Sequence, residues 1–187
     1  MPSMNKELGF TLIELLVVIA IIGMFASIIL TSLNKGREKA RIAQLVGQIH
    51  EIQNVAGLYI TDTGIESFSC DITCTSDSDP FLNSLGVTGW DGPYIPGGLW
   101  NLEHPWGGHL TISNNDITGD SILDFYIQVD DDAPGTSIDD NSGLVPSTAA
   151  TAIDRALDDG DLETGNLRGD GAGFMSVPGE LFFLLMI

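Results

Sequence analysis

The chain has 187 residues, a length typical of one domain with appendages. Its seven Lys and Arg residues face 26 Asp and Glu residues, which gives a formal net charge of −19 at pH 7. The imbalance is concentrated from Ile42 onward, where 23 acidic and two basic residues occur. A surface this acidic repels phosphates, so direct binding of nucleic acid is not expected. Such a surface attracts cations. We expect most of the acids to face solvent and a smaller share to be cation ligands.

The first predicted element is an apolar helix that follows a short polar leader, residues 1–9. Residues 15–33 contain no charged side chain, and as a helix they span about 28 Å, close to the hydrocarbon thickness of a bilayer. A buried helix of a soluble protein is the alternative, but a helix that is apolar on every side rarely fits inside a domain this small. The sequence therefore predicts that residues 10–33 span a membrane.

Glu14 stands at the entrance of this apolar segment. A carboxylate at the rim of a membrane segment costs about 2.5–3.5 kcal/mol unless it finds a partner. The pattern therefore favours a dedicated partner for Glu14. The alternative is a side chain that lies among lipid headgroups without one.

The stretch Gly9–Glu14, which reads GFTLIE, precedes this apolar run and resembles the processing motif of type IV prepilins and type II secretion pseudopilins. The resemblance implies that a prepilin peptidase cuts between Gly9 and Phe10 and that the amine of Phe10 is methylated. It also implies that Glu14 faces the methylated amine of a neighbouring subunit during assembly. The expected partners are the prepilin peptidase, identical and related pilin subunits, an inner-membrane assembly platform and the lipid bilayer.

The charge distribution and the resemblance predict opposite membrane topologies, and we follow the resemblance. Four basic residues follow the apolar run, whereas Lys6 alone precedes it; the four are Lys35, Arg37, Lys39 and Arg41. The positive-inside tendency places their side in the cytoplasm. The resemblance implies the opposite: a single-pass protein of the inner membrane with its head outside the cytoplasm, which later joins a periplasmic or cell-surface filament.

The pattern becomes amphipathic over residues 34–60. Apolar residues recur there at three- and four-residue steps: Ile42, Leu45, Val46, Ile49, Ile52, Ala56 and Tyr59. No Pro interrupts the region, so the sequence predicts one helix from about Phe10 to about Tyr59, ended by the stop signal Thr61–Gly64. Thr31 stands where type IV pilins usually carry a Pro, so a Pro-induced break is not expected.

Residues 61–187 are predicted to form an acidic globular head. The fold class is α+β and pilin-like: a long N-terminal helix packs on a small antiparallel sheet, with a loop-rich C-terminal region. An apolar and an alternating run predict strands at residues 109–113 and 123–129, which form a small antiparallel meander, and the apolar residues 180–187 predict a last buried strand. Short helices are predicted at residues 80–85 and 149–157.

Two segments of the head extend the resemblance to major pseudopilins. Gly89–Ile95 contains Trp90 and a Gly-Pro-Tyr loop, and His104–Ile112 begins with a Pro-Trp-Gly turn. His104 occupies the place where the family usually has Asp. Pro and Gly at these places indicate turns.

Cys70 and Cys74 are separated by three residues. In an exported domain this spacing favours a small local disulfide. Half of a metal site and reduced, inert thiols are the alternatives, although no second Cys pair exists to complete a zinc site.

Acidic residues cluster in three loops, Asp130–Asp132, Asp139–Asn141 and residues 154–163. Calcium takes six to eight oxygen ligands, and the resemblance adds that major pseudopilins often hold one calcium ion in a C-terminal loop. The last loop lacks EF-hand spacing and does not match the family's calcium loop residue by residue. The hypothesis is one calcium ion, and the alternative is solvated acids; the candidate ligands are Asp158, Asp159, Asp161 and Glu163.

No catalytic motif stands out. His50, His104 and His109 lack a metal-ligand spacing, and we predict that they lie on the surface. The sequence thus predicts a structural subunit rather than an enzyme, most similar in pattern to a secretion pseudopilin. The alternatives are a surface type IV pilin for adhesion, motility or DNA uptake, and a membrane-anchored enzyme or calcium-dependent binding domain.

Overall fold

The computed structural model describes residues 10–71, 74–116, 121–132, 143–169 and 179–185. Gly9, with the rest of the predicted leader, and the acidic loop Asp139–Asn141 lie outside the described residues. The chain divides into two compact units, Met1–Lys39 and Ala40–Ile187. The elements in chain order are α1 (Leu12–Thr63), a 3-10 turn (Leu99–Asn101), β1 (His109–Asn115), β2 (Asp124–Asp130), α2 (Ser147–Leu157), β3 (Leu167–Gly169) and β4 (Leu181–Leu184).

The first half of α1 is exposed along its whole length. Every residue from Phe10 to Arg37 is exposed. Among the described residues, α1 is the one helix whose length and apolar composition suffice to cross a membrane. The structure thus agrees with a single N-terminal membrane anchor, and the long helix predicted from the sequence is confirmed.

The second half of α1 lies on the head and supplies one side of its core. The buried residues are Leu45, Ile49, Ile52, Val55, Ala56 and Tyr59. Five of these six belong to the predicted apolar stripe; Val55 does not, and the predicted Ile42 and Val46 are only half-buried. The stripe is buried because its three- and four-residue spacing keeps these side chains on one face of the helix.

The stop signal that ends α1 acts through Gly64. This residue has φ +69°, and its N–H donates to the carbonyl of Ile60 at 2.8 Å. A left-handed residue directly after the last turn is the common way for a helix to end, and Gly adopts it without steric cost.

The four strands form one antiparallel sheet in the order β1-β2-β4-β3. His109 pairs with Asp130 and Asn115 with Asp124, so β1 and β2 form a hairpin. The three predicted strands are confirmed within a few residues. The predicted meander of the first two strands is confirmed as the β1-β2 hairpin, and the predicted last strand, β4, lies beside β2. β3 itself was not predicted, since three residues are too few to show an alternation.

The predicted helix at residues 80–85 is wrong, because the segment forms turns around a buried acid. Asp79 is fully buried, and its Oδ1 accepts a hydrogen bond from the N–H of Phe81 at 2.8 Å. Its Oδ2 accepts one from the N–H of Trp100 at 2.9 Å. These bonds offset the cost of burying the carboxylate and join the turn to the 3-10 segment.

An aromatic cluster fixes the end of α1 to the head. The ring centroid of Tyr59 lies 4.5 Å from that of Phe68, 5.8 Å from Phe81 and 5.7 Å from Tyr94. The Tyr94 hydroxyl donates to Asp62 Oδ2 at 2.8 Å. The segment that resembles pseudopilins at Gly89–Ile95 thus docks on the last turns of α1.

A disulfide joins Cys70 to Cys74. Cys70 also pairs with β1: its N–H donates to the carbonyl of Ile112 at 2.8 Å, and the N–H of Ile112 donates back at 3.1 Å. The disulfide therefore closes a small loop beside β1, the strand that follows the Pro-Trp-Gly turn.

The packing of α1 on the head predicts a clear difference between two substitutions on the same helix. Ile52→Ala should lower the free energy of unfolding by about 3 kcal/mol, because Ile52 is fully buried and the vacated space cannot close. Leu58→Ala is the matched control and should change it by less than about 0.5 kcal/mol, because Leu58 is 57% exposed. Thermal unfolding of the full chain in detergent compares them, and equal losses would contradict this packing.

Candidate functional site

The start of α1 is closed by a reciprocal pair of side chains. Glu14 Oε2 accepts hydrogen bonds from the Thr11 N–H at 2.8 Å and from the Thr11 hydroxyl at 2.7 Å. The Glu14 N–H donates in turn to Thr11 Oγ1 at 3.3 Å. This is a capping box, in which Thr11 occupies the N-cap position and Glu14 lies three residues later. Glu14 therefore has a structural role at the helix start, where its carboxylate satisfies the backbone N–H of Thr11.

The cap places one negative charge in apolar surroundings without neutralising it. Both bonds to the carboxylate come from neutral donors of Thr11. The flanking side chains of Phe10, Ile13, Val17 and Val18 are apolar and exposed. The positive end of the helix dipole favours the charge, with an effect that is confined to the first turn. The arrangement can accept a cationic partner from outside the chain.

Three carboxylates converge where α2 ends. Oxygens of Asp154, Asp158 and Asp159 all lie within 4.8 Å of one another. Asp154 is fully buried, whereas Asp158 is half-buried and Asp159 is exposed. Two of the four predicted calcium ligands thus come together with Asp154. The other two, Asp161 and Glu163, are exposed and lie outside this group of three.

A second group of acids lies beside the sheet. Oxygens of Asp130, Asp131 and Glu180 lie within 4.8 Å of one another, and all three residues are buried. Gln128 Nε2 donates to Asp130 Oδ2 at 3.2 Å and to Glu180 Oε2 at 3.3 Å. Here side-chain amide donors of the protein itself offset part of the negative charge.

The prediction of surface histidines is wrong for two of the three. His50 is exposed, but His104 and His109 are 3% and 2% exposed. His104 Nδ1 accepts a hydrogen bond from the N–H of Trp106 at 3.3 Å, so its Nε2 carries the proton and donates to the carbonyl of Asp130 at 2.8 Å. His104 thereby closes the Pro-Trp-Gly turn and ties it to the end of β2.

Burial also changes the acidity of these histidines. Desolvation lowers the pKa of His104 from 6.5 to about 4, and the nearby His109 contributes in the same direction. Desolvation likewise lowers the pKa of His109. Both rings are therefore neutral at physiological pH, and they act as parts of the fold rather than as general bases or surface cations.

Comparisons with known proteins agree with the N-terminal geometry. The family described as "Prokaryotic N-terminal methylation motif" matches residues 4–30, which include the capping box. The chain is therefore similar to type IV pilin-like proteins. The similarity rests on the N-terminal motif, and the long helix and small antiparallel sheet are consistent with it.

The chain is also similar to curated proteins whose names refer to secretion. It is 28% identical over 108 residues to "Type II secretion system core protein G" of Escherichia coli (strain K12), and the match covers 51% of this chain and 74% of the relative. It is 35% identical over 65 residues to the protein of the same name from Vibrio cholerae, which covers 35% of this chain and 44% of the relative. It is 37% identical over 58 residues to the protein of the same name from Aeromonas hydrophila, and this match covers 31% of the chain and 41% of the relative. No solved structure matches the chain.

Sequence reasoning missed the capping role of Thr11 and the burial of Asp154. The Thr11-x-x-Glu14 spacing is a capping-box signature and could have indicated the cap. Asp154 follows Ala149, Ala150 and Ile153 on the buried face of α2, so helical periodicity could have indicated an acid that points inward.

The buried His104 predicts a loss of stability on acidification. Its pKa in the folded protein, about 4, lies below its unfolded value near 6.5, so between these values the unfolded chain binds the extra proton. The contribution is fully present above pH 6.5 and is lost as the pH falls towards 4, by up to about 3 kcal/mol.

Chemical denaturation of the wild type and of His104→Asn, from pH 4 to 7.5 with a chelator present, measures this effect. The difference in the free energy of unfolding between the two proteins should shrink as the pH falls, because only the wild type loses the contribution of His104. Asp154 acts in the opposite direction, since its raised pKa of about 6 favours folding at low pH, but it is common to both proteins and cancels in the difference. A difference that is constant with pH would contradict the assignment to His104.

Proposed function

We propose that this protein is a structural subunit of a pseudopilus-like filament of a type II secretion system. Its precursor sits in the inner membrane, loses its leader by a cut between Gly9 and Phe10, and is methylated at Phe10. It then leaves the bilayer and packs head-to-tail with copies of itself. Because such a heterologous contact does not close on itself, a filament follows from its symmetry.

The observation that carries this proposal is the exposed apolar half of α1. Apart from its end at Glu14, the surface from Phe10 to Leu33 offers no charged group, and all of it is exposed within one chain. An isolated chain with this surface is stable only in lipid or against other apolar helices. A membrane-inserted precursor and a bundled filament are the two states that cover this helix.

The geometry of the capping box supports a role for Glu14 in assembly. Thr11 engages the carboxylate through neutral donors, so the negative charge persists. Cleavage before Phe10 creates a cationic amine at the same end of the helix in every subunit. In an apolar bundle an ion pair is favoured strongly over two separated charges, so pairing of Glu14 with the amine of a neighbour would fix the axial register.

The location follows from the same proposal. The anchor crosses the inner membrane once, and the head lies outside the cytoplasm, where the Cys70–Cys74 disulfide is stable. The exposed basic residues that follow the apolar segment lie at the membrane surface in the precursor; they are Lys35, Arg37, Lys39 and Arg41. Expected partners are a prepilin peptidase, related pilin subunits and an inner-membrane assembly platform.

The relatives favour secretion over the other hypotheses. The curated proteins that match are named as core components of type II secretion, so a surface pilin for adhesion or motility is not favoured. A catalytic role has no specific observation in its support, and the subunit is proposed to act by assembly alone.

Processing is tested on the native protein by mass spectrometry. The mature chain should begin at Phe10 and carry one additional methyl group on its amine. An intact Met1, or a start at any other residue, would overturn the proposed processing.

The charge of Glu14 is tested separately from its capping role by Glu14→Gln. The amide oxygen still accepts the hydrogen bonds of Thr11, so the helix start is kept while the charge is lost. Filament formation, measured by cysteine cross-linking or electron microscopy, should fall at least about tenfold, the equivalent of about 1.4 kcal/mol.

Glu38→Gln is the matched control for this substitution. Glu38 lies on the same helix beyond the apolar segment, so its loss should leave assembly unchanged. Membrane insertion, measured by carbonate extraction, should be equal for the wild type and both variants. Normal assembly of Glu14→Gln would show that the cap alone explains this acid.

A further inference from the structure

A basic segment, residues 35–41, follows the apolar half of α1. It contains four of the seven basic residues of the chain: Lys35, Arg37, Lys39 and Arg41. All four are exposed, and no hydrogen bond or ion pair joins their side chains to another described residue. Glu38 is the one acid in the segment, so four bases minus one acid give a net charge of +3. Assembly through Glu14 and the apolar half of α1 uses none of these charges.

The charge of the chain changes sign directly after the basic segment. Between Ile42 and Asp154 there is no Lys or Arg, and from Ile42 onward 23 acidic residues face two basic ones. An anionic surface therefore attracts the basic segment and repels the acidic chain that follows it. The basic segment is thus the part of the chain suited to an anionic partner.

The spacing along α1 places the basic segment among lipid headgroups when the helix is in a bilayer. Residues 15–33 are uncharged and span about 28 Å, close to the thickness of the hydrocarbon layer. At about 1.5 Å per residue, Lys35 lies about 3 Å, Lys39 about 9 Å and Arg41 about 12 Å beyond Leu33. Headgroups occupy roughly 5–7 Å on each side of a bilayer, and the long stems of Lys and Arg let their charged ends reach back by several ångströms.

The four bases surround the helix and do not mark a single face of it. Each residue turns an α-helix by about 100°, so residues four apart share a side and residues two apart lie on opposite sides. Lys35 and Lys39 therefore lie on one side of α1, and Arg37 and Arg41 lie on the other. One neighbouring head contacts one side of a helix, whereas lipid headgroups surround it. The arrangement favours a lipid partner over a protein partner.

We propose that the basic segment binds the phosphate groups of anionic phospholipids in the membrane that holds the precursor. Lys and Arg donate charge-assisted hydrogen bonds to phosphate oxygens, and the planar guanidinium of Arg donates two at once. Neither the family match, which ends at residue 30, nor the names of the relatives assign this role. The inference rests on the proposed membrane-inserted precursor. Extraction into a filament breaks these contacts, so anionic lipid holds the precursor in the bilayer.

The lipid selectivity of the full-length precursor tests the proposal. The protein is reconstituted into phosphatidylcholine vesicles that contain a trace of spin-labelled phosphatidylglycerol or, separately, of spin-labelled phosphatidylcholine. The immobilised fraction of each label gives its relative association with the protein. Phosphatidylglycerol should associate at least about fivefold more strongly at low salt, and added salt should weaken this preference by screening the charges. Equal association of the two lipids would overturn the proposal.

Variants separate the charge of the basic segment from its other properties. The preference should be largely lost when Gln replaces all four bases, in the combined variant Lys35→Gln, Arg37→Gln, Lys39→Gln and Arg41→Gln. Exchange of Lys for Arg and of Arg for Lys at the same positions keeps the charge and should keep the preference. Glu38→Gln should raise the preference, because it removes the one acid of the segment. Arg155→Gln, at an exposed base of α2, is the control and should behave as the wild type does. An undiminished preference in the combined Gln variant would contradict the assignment.

The acidic head of a neighbouring subunit is the other anionic partner available to these bases. If the combined Gln variant kept the lipid preference but formed no filaments, the basic segment would serve contacts between subunits and the proposal would be wrong. We expect this variant to form filaments at least as readily as the wild type, because the lipid contacts that oppose extraction are gone. The start of the mature chain is measured on the same samples. A start other than Phe10 would contradict the proposed function, whereas equal association of the two lipids would contradict this inference alone.

Discussion

The exposed apolar half of α1 is the constraint on which the rest of the protein depends. Burial of one large apolar side chain contributes about 1.5–3 kcal/mol, and this half presents Leu, Ile, Val, Met and Phe on every face. Every residue of this half from Phe10 to Arg37 is exposed in the single chain. The protein must therefore exchange one apolar environment for another, and lipid and a bundle of identical helices are nearly equivalent in this respect.

Because the two environments are nearly equivalent, polar groups decide when and how the helices associate. Glu14 is the only ionisable side chain between Phe10 and Leu33, and its cap with Thr11 keeps the first turn of the helix satisfied where no water is present. The cap and the charge are separable properties of the same carboxylate. The cap stabilises each subunit in the bilayer, and the charge gives the assembled state an interaction that the bilayer lacks.

The sequence predicted those parts of the fold that carry a long or specific pattern. The apolar run and the stripe from Leu45 to Tyr59 are long enough for their periodicity to indicate α1 correctly. The three-residue β3 and the turns at residues 80–85 have no such pattern, because they depend on pairing with β4 and on hydrogen bonds to Asp79. His104 and His109 were misplaced because nothing local distinguishes a polar residue that closes a turn from one in solvent.

Three described acids differ in how their charge is balanced. Asp79 is buried and accepts its hydrogen bonds from its own chain, so it is complete as a structural element. Glu14, once in an apolar environment, and Asp154, in the head, are carboxylates away from water whose charge the described chain does not balance. A folded protein retains such a charge at a cost of several kcal/mol unless something else neutralises it. A carboxylate at a helix start exposed to neighbouring subunits can obtain that partner from another chain, whereas for one enclosed by two further acids, burial and those acids raise the pKa and favour uptake of a proton.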